Sequence, residues 1–153
     1  MLASLGAVLG VFGGAIGSSI GIGKAASAAL PVVSEDPASF KQVVILAAMP
    51  LTQTFYGFIF ALLSLTNVLP TIDNMTWFKA TAIFGVGLFV MVAELFSAWY
   101  QGIICMSGIL ELPKAGGRML TPSMILASYV EMLGILGLVL GYLLAIVISG
   151  LPI

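Results

Sequence analysis

Apolar residues run in four long stretches separated by short polar breaks. The first extends from about Leu2 to Leu30, and the break behind it reads Pro31-Val32-Val33-Ser34-Glu35-Asp36-Pro37-Ala38-Ser39-Phe40-Lys41-Gln42. The second runs to about Leu69 and ends in Pro70-Thr71-Ile72-Asp73-Asn74-Met75-Thr76. The third spans about Trp77 to Leu110. Glu111-Leu112-Pro113-Lys114-Ala115-Gly116-Gly117-Arg118 then leads into the fourth, from about Thr121 to Ser149. Crossing a bilayer takes about 20 residues of helix, so each stretch is long enough to span one. Barrel strands would be about ten residues long and would alternate strictly, and nothing here alternates. The pattern predicts an all-α integral membrane protein, its four transmembrane helices paired as two tandem hairpins. Residues 1–69 form the first hairpin and 77–153 the second.

The two halves resemble each other. Tyr56-Gly57-Phe58-Ile59-Phe60-Ala61-Leu62-Leu63 matches Leu136-Gly137-Leu138-Val139-Leu140-Gly141-Tyr142-Leu143 at an offset of about 80 residues, and self-similarity at a fixed period signals a repeated unit. In that register Leu51 is the partner of Glu131, so only the second copy keeps a carboxylate there. Gly6, Gly10, Gly13, Gly14, Gly17 and Gly21 give overlapping small-xxx-small spacings along the first helix, which let helix backbones approach closely in lipid. Their number exceeds what one hairpin contact requires, and the expectation is a crowded inner ring of neighbouring subunits, with ordinary tight packing inside one four-helix chain as the alternative.

Composition agrees with the membrane reading. The chain is 61% hydrophobic and 7% charged, too few charges for the skin of a soluble domain of this length. Its net charge of −1 offers no basic patch to a nucleic acid. There is no histidine, and Cys105 is the single cysteine, so neither a disulfide framework nor a thiolate metal site is available. No basic stretch precedes the first apolar segment, which argues against a cleaved signal peptide. Lys24 and Lys41 flank the first break, Lys114 and Arg118 lie in the third, and only Lys79 is near the second. The positive-inside rule therefore places both hairpin loops in the cytoplasm and the termini outside.

Against this background Glu131 stands out. From Met119 to Ile153 it is the sole charged side chain, and a charge in the hydrocarbon core persists only where it is paired, neutralised or functional. On the second helix Met49, Thr52, Gln53 and Tyr56 fall at i, i+3, i+4 and i+7, one stripe on one face. Pro50, inside that helix, cannot donate to the carbonyl of Leu46, which opens the backbone locally. Counted from the loop centres, Gln53 lies about 17 residues in, Gln101 about 14 and Glu131 about 16. At 1.5 Å per residue these differ by roughly 5 Å. Thr52, Gln53, Gln101 and Glu131 can thus meet in one layer of the membrane and supply a hydroxyl, two amide carbonyls and a carboxylate. Hard cations prefer such oxygen sets. One carboxylate can neutralise one monovalent cation, or a proton in its place.

With these residues in view, the chain resembles the duplicated proteolipid, or c-type rotor subunit, of V-type and A/V-type rotary ATPases. The likeness covers essentially the whole chain. It rests on the glycine-rich first helix ending in Gly21-Ile22-Gly23-Lys24, on Pro50-Leu51-Thr52-Gln53-Thr54-Phe55-Tyr56-Gly57, on Gln101-Gly102 and on Glu131, and is strongest to the sodium-binding bacterial members. The resemblance implies sodium ligands at the Met49 carbonyl, Thr52, Gln53, Gln101 and Glu131, with Tyr56 closing the site on the carboxylate. It further implies a homo-oligomeric ring in a bacterial plasma membrane, turning against a stator subunit whose basic residue displaces the cation. Rotation of a central stalk would couple transport to ATP hydrolysis elsewhere. No G-x-x-x-x-G-K-[ST] loop is present, so the expectation is a transport subunit with no active site of its own. Two alternatives stay open: the same rotor carrying H+ on Glu131, and a non-rotary four-helix channel or assembly protein.

Three residues lie outside that pattern. Glu94 is about 10 Å outward of Gln101 on nearly the same face, with Ser97 between them. It is expected to be a neutral packing residue bonded to a hydroxyl or carbonyl, a role in ion access or a second protonation being the alternative. Trp77 is expected to anchor the outer membrane interface. Trp99 lies deep and has no functional reading.

Overall fold

The computed structural model describes residues 1–152, and its secondary structure is all helical. Helix α1 (Leu2–Glu35) packs beside a second span built of α2 (Phe40–Ala48) and α3 (Thr52–Leu63), joined by a tight 3-10 turn at Met49–Leu51. A π turn at Ser64–Val68 and a short turn at Leu69–Thr71 end this span. After residues 72–76 come α4 (Trp77–Glu111) and α5 (Leu120–Ser149). The four membrane-length helices contain 34, 35, 35 and 30 residues. The longer ones measure about 50 Å at 1.5 Å per residue, well beyond a hydrocarbon core of about 30 Å.

The first break is shorter than the sequence suggests. Helix α1 continues through Pro31 to Glu35, and a single residue, Asp36, interrupts the chain before helical turns resume at Pro37. Near a helix end the carbonyl freed by a proline is within reach of water, so the ring is tolerated. Asp36 then starts the next span by accepting a 3.1 Å hydrogen bond from the Ala38 amide. The second hairpin turns through Leu112–Met119, where Gly116 and Gly117 adopt φ of 55° and 78°, a region that suits glycine. Thr76 caps α4 by accepting from the amide of Lys79.

The bundle is organised around α1 and α4, which make the most extensive contact, with α5 and α3 packed on their flanks. The six α1 glycines are all buried within the chain. A side chain on Gly6, Gly13, Gly17 or Gly21 would strike the α4 backbone, and one on Gly14 the backbone of α3. These glycines therefore serve contacts inside one chain, and an inner ring of neighbouring subunits is not needed to account for them. Lipid supplies no hydrophobic drive for helix association, so dispersion contacts at this close approach hold the helices together.

Three apolar clusters result. One, toward the hairpin loops, centres on Leu46, Cys105, Ile109, Leu112 and Ala127. A second, toward the linker, centres on Phe60, Val68, Val86, Val90 and Ala145, and a small third joins Ala3, Ala80 and Ile83. Gln53, Glu94, Ser97 and Gln101 are buried between the first two. The outer surface is apolar, with Phe12, Phe58, Leu133, Leu136 and Val147 all exposed. Trp77, 79% exposed, stands at the linker end of α4 as an interface anchor would. Trp99 stacks with Phe96 and Tyr100 on the outer face of α4, ring centroids 6.3 and 6.4 Å apart.

Candidate functional site

The kink at Pro50 decides how the second span meets its neighbours. Proline cannot continue the hydrogen-bond ladder, and the chain tightens into the Met49–Leu51 turn before α3 resumes at Thr52. Gly21 of α1 lies against Pro50, and Gly14 against Gln53 and Thr54. Ser18 of α1 accepts a 2.8 Å bond from Thr54 on the same side. These contacts set the rotation of α3 so that Gln53 points into the bundle, where it is fully buried.

From there one hydrogen-bonded chain crosses three helices. The Thr52 hydroxyl lies 3.1 Å from both the Met49 carbonyl and Gln53 Oε1; having one proton, it donates to one of them at a time. Gln53 Nε2 donates to Gln101 Oε1 at 2.9 Å and to Ser97 Oγ at 3.0 Å. Gln101 Nε2 donates to Glu131 Oε2 at 3.2 Å, and Tyr56 Oη to Glu131 Oε1 at 2.9 Å. Each carboxyl oxygen of Glu131 thus has its own donor, one from α4 and one from α3. The five side chains singled out in the sequence lie together, and Met49 contributes its carbonyl at the head of the chain.

Glu131 itself is only half-buried, on the outward side of α5, whereas Gln53 and Gln101 are fully enclosed. It forms no ion pair; the one ion pair among the described residues joins Lys114 to Glu111 at 2.7 Å in the second loop. Its hydrogen-bond partners, Gln101 and Tyr56, are neutral dipoles. The side chains linked to it carry amide and hydroxyl groups, with no imidazole or thiolate among them, and their oxygens are of the type that hard ions prefer.

Ser97 joins the site without having been singled out for it. Its hydroxyl accepts from Gln53 and donates to the Val130 carbonyl at 2.8 Å, tying α3 and α4 to the turn of α5 that carries Glu131. The signal was its place one turn from Gln101 on the same face. Glu94 departs from expectation. It is fully buried, yet neither carboxyl oxygen has a hydrogen-bond partner among the described residues. The hydroxyl nearest in sequence, on Ser97, is already engaged by Gln53 and the Val130 carbonyl.

Comparison with known proteins gives the family of the chain. The family model for the C subunit of ATP synthase matches residues 5–64 and again 84–144. V-type sodium ATPase subunit K of Enterococcus hirae is 34% identical over 136 residues, 89% of this chain and 84% of that protein. A-type ATP synthase subunit K of Methanocaldococcus jannaschii is 38% identical over 109 residues, 71% of this chain and 46% of that longer protein. Two successive matches to one family unit, each covering a helical pair, accord with the sequence self-similarity. The chain belongs to the ATP synthase C-subunit family, the cation-transporting membrane proteolipids of rotary ATPases.

Proposed function

We propose that this chain is a rotor-ring subunit of a V-type rotary ATPase that carries Na+ at mid-membrane. The ligands are the Met49 carbonyl, Thr52, Gln53, Gln101 and Glu131, with Tyr56 holding the carboxylate closed. The observation that carries this reading is the buried hydrogen-bonded chain that runs from Thr52 through Gln53 and Gln101 to one carboxylate with no basic partner among the described residues. A proton needs no such ring of oxygens. The relative from Enterococcus hirae is named for a sodium ATPase, which supports the same ion here.

The chemistry follows from charge. With Na+ bound, Glu131 is neutralised and its half-exposed face can pass along lipid. Emptied, the carboxylate is too costly to do so and must meet a cationic group of the stator. Loading and release at the stator then permit rotation in one direction, and a central stalk transmits it to the ATP-hydrolysing head. The ring is homo-oligomeric, in a bacterial plasma membrane, with hairpin loops cytoplasmic and termini outside. The division into hairpins at 1–69 and 77–153 leaves the ion site with the second copy, borrowing Thr52, Gln53 and Tyr56 from the first.

One observation favours H+ instead. Gln101 Oε1 already accepts from Gln53, and Gln53 Oε1 lies within reach of the Thr52 hydroxyl, so binding Na+ requires both amides to turn their oxygens inward. Carbodiimide modification, mapped by mass spectrometry with and without sodium, separates the two. The reagent attacks a protonated carboxyl, and a bound cation blocks it. Sodium protection of Glu131 that weakens in Gln53→Ala is the expected result; labelling indifferent to sodium means a proton carrier.

A further inference from the structure

Glu94 is used by none of this. It lies on α4, one turn from Ser97 and two turns from Gln101, and is 0% exposed. Both of its carboxyl oxygens are buried without a hydrogen-bond partner among the described residues. Opposite it, α5 presents Gly134 in place of a side chain. A β-carbon at Gly134 would stand 2.8 Å from Glu94 Oε2, 3.1 Å from Ser97 Oγ and 3.3 Å from Gln53 Cγ, whereas one at Gly137 would meet Ala93 at 2.5 Å. Gly134 thus leaves a slot on α5 for the carboxyl group, beside the Ser97 hydroxyl.

A buried carboxylate with no donor and no basic neighbour is far more costly than the buried amides beside it. The titratable side chains in the middle of α3 and α5 are Tyr56, Tyr129, Glu131 and Tyr142, and none supplies positive charge. Helix α1 carries only Lys24 and Glu35, both on the hairpin-loop side. The one basic residue of α4, Lys79, is about 22 Å away along the helix. A single cation on Glu131 would leave one negative charge uncompensated in the bundle.

We propose that Glu94 anchors a second monovalent-cation position, bounded by Ser97 and the glycine slot of α5, that holds a proton or a sodium ion separately from the ion on Glu131. Because it faces the interior of the bundle, where Glu131 faces outward, the charge it holds stays with the subunit as the Glu131 ion exchanges. This second position is independent of the transported ion and is present whichever cation Glu131 carries.

The test uses the full-length protein in its assembled form at neutral pH, as Glu131→Gln and as Glu94→Gln. In Glu131→Gln, Glu94 is the sole acidic side chain left in the membrane interior, since Glu35, Asp36, Asp73 and Glu111 lie at helix ends. Infrared spectroscopy reads the carbonyl stretch of a protonated carboxyl, and radioactive sodium reads bound metal. A protonated-carboxyl band that persists in Glu131→Gln and is lost in Glu94→Gln identifies a proton there. One sodium ion per chain retained in Glu131→Gln and missing in Glu94→Gln identifies sodium. Neither signal in Glu131→Gln overturns the proposal, and that variant decides alone if Glu94→Gln does not assemble. Failure of sodium to protect Glu131 in the unmodified protein would revise the transported ion and leave this result untouched.

Discussion

At the scale of single residues, the two donors on Glu131 are not equivalent. Gln101 is enclosed and cannot be replaced by water, whereas Tyr56 is partly exposed at the rim. A hydrogen bond to a charged group contributes about 1.5–3 kcal/mol, or roughly tenfold to a hundredfold in an equilibrium. Tyr56→Phe is therefore expected to loosen cation retention by about tenfold, read as faster carbodiimide labelling of Glu131 at fixed sodium. Gln101→Ala should weaken sodium protection toward a hundredfold, and unchanged protection in that variant would remove Gln101 from the ligand set. Glu131 was legible in the sequence because a lone charge in an apolar run is too costly to be incidental. Ser97 was not. A helical serine ordinarily donates back to the carbonyl four residues earlier, as Ser19, Ser27, Ser107 and Ser128 do here. Only the approach of α5 gives the Ser97 hydroxyl a better partner in the Val130 carbonyl.

At the scale of elements, the α1–α4 contact is the spine, and it tolerates nothing larger than hydrogen at its crossing points. Gly102 meets the backbone of Gly21, while Gly85 on the same helix faces open space. Overpacking typically costs about 1–3 kcal/mol. Gly102→Ala is expected to destabilise the protein by about that much, and Gly85→Ala to be neutral or slightly stabilising, since glycine inside a helix is itself unfavourable by roughly 0.5–1 kcal/mol. Thermal unfolding of the two variants in one detergent checks the contrast, and equal melting temperatures would contradict it. The glycine spacing was visible in the sequence, but its partner was not. A stripe of small residues reports that something comes close, and leaves open whether that is the same chain or another copy.

For the whole molecule, the prediction concerns orientation. The two hairpin loops lie at one end of the bundle and the linker at the other, so Asp36 and Lys114 share a side and Asp73 takes the opposite one. In a Cys105→Ser background, a membrane-impermeant thiol reagent added outside intact cells should label Asp73→Cys and spare Lys114→Cys. The reverse pattern would turn the subunit over in the membrane. The apolar exterior, densest on α5 around Leu133, Leu136 and Leu140, is the surface that lipid and neighbouring copies would share in a ring.

The number, type and approximate limits of the helices followed from the sequence alone. In hydrocarbon every backbone group must be satisfied within its own segment, so a long apolar run has one way to fold, and hydropathy reads it directly. The layer in which Thr52, Gln53, Gln101 and Glu131 lie could likewise be counted, because the rise per residue is constant. What the sequence left open is rotation about each helix axis. That is set by backbone contact between α1 and α4 and by the turn at Pro50, interactions among residues far apart in the chain. Tertiary packing alone decided that the α1 glycines close on their own chain, that Ser97 bridges to α5, and that Glu94 faces inward with both oxygens unpaired among the described residues while Glu131 faces out.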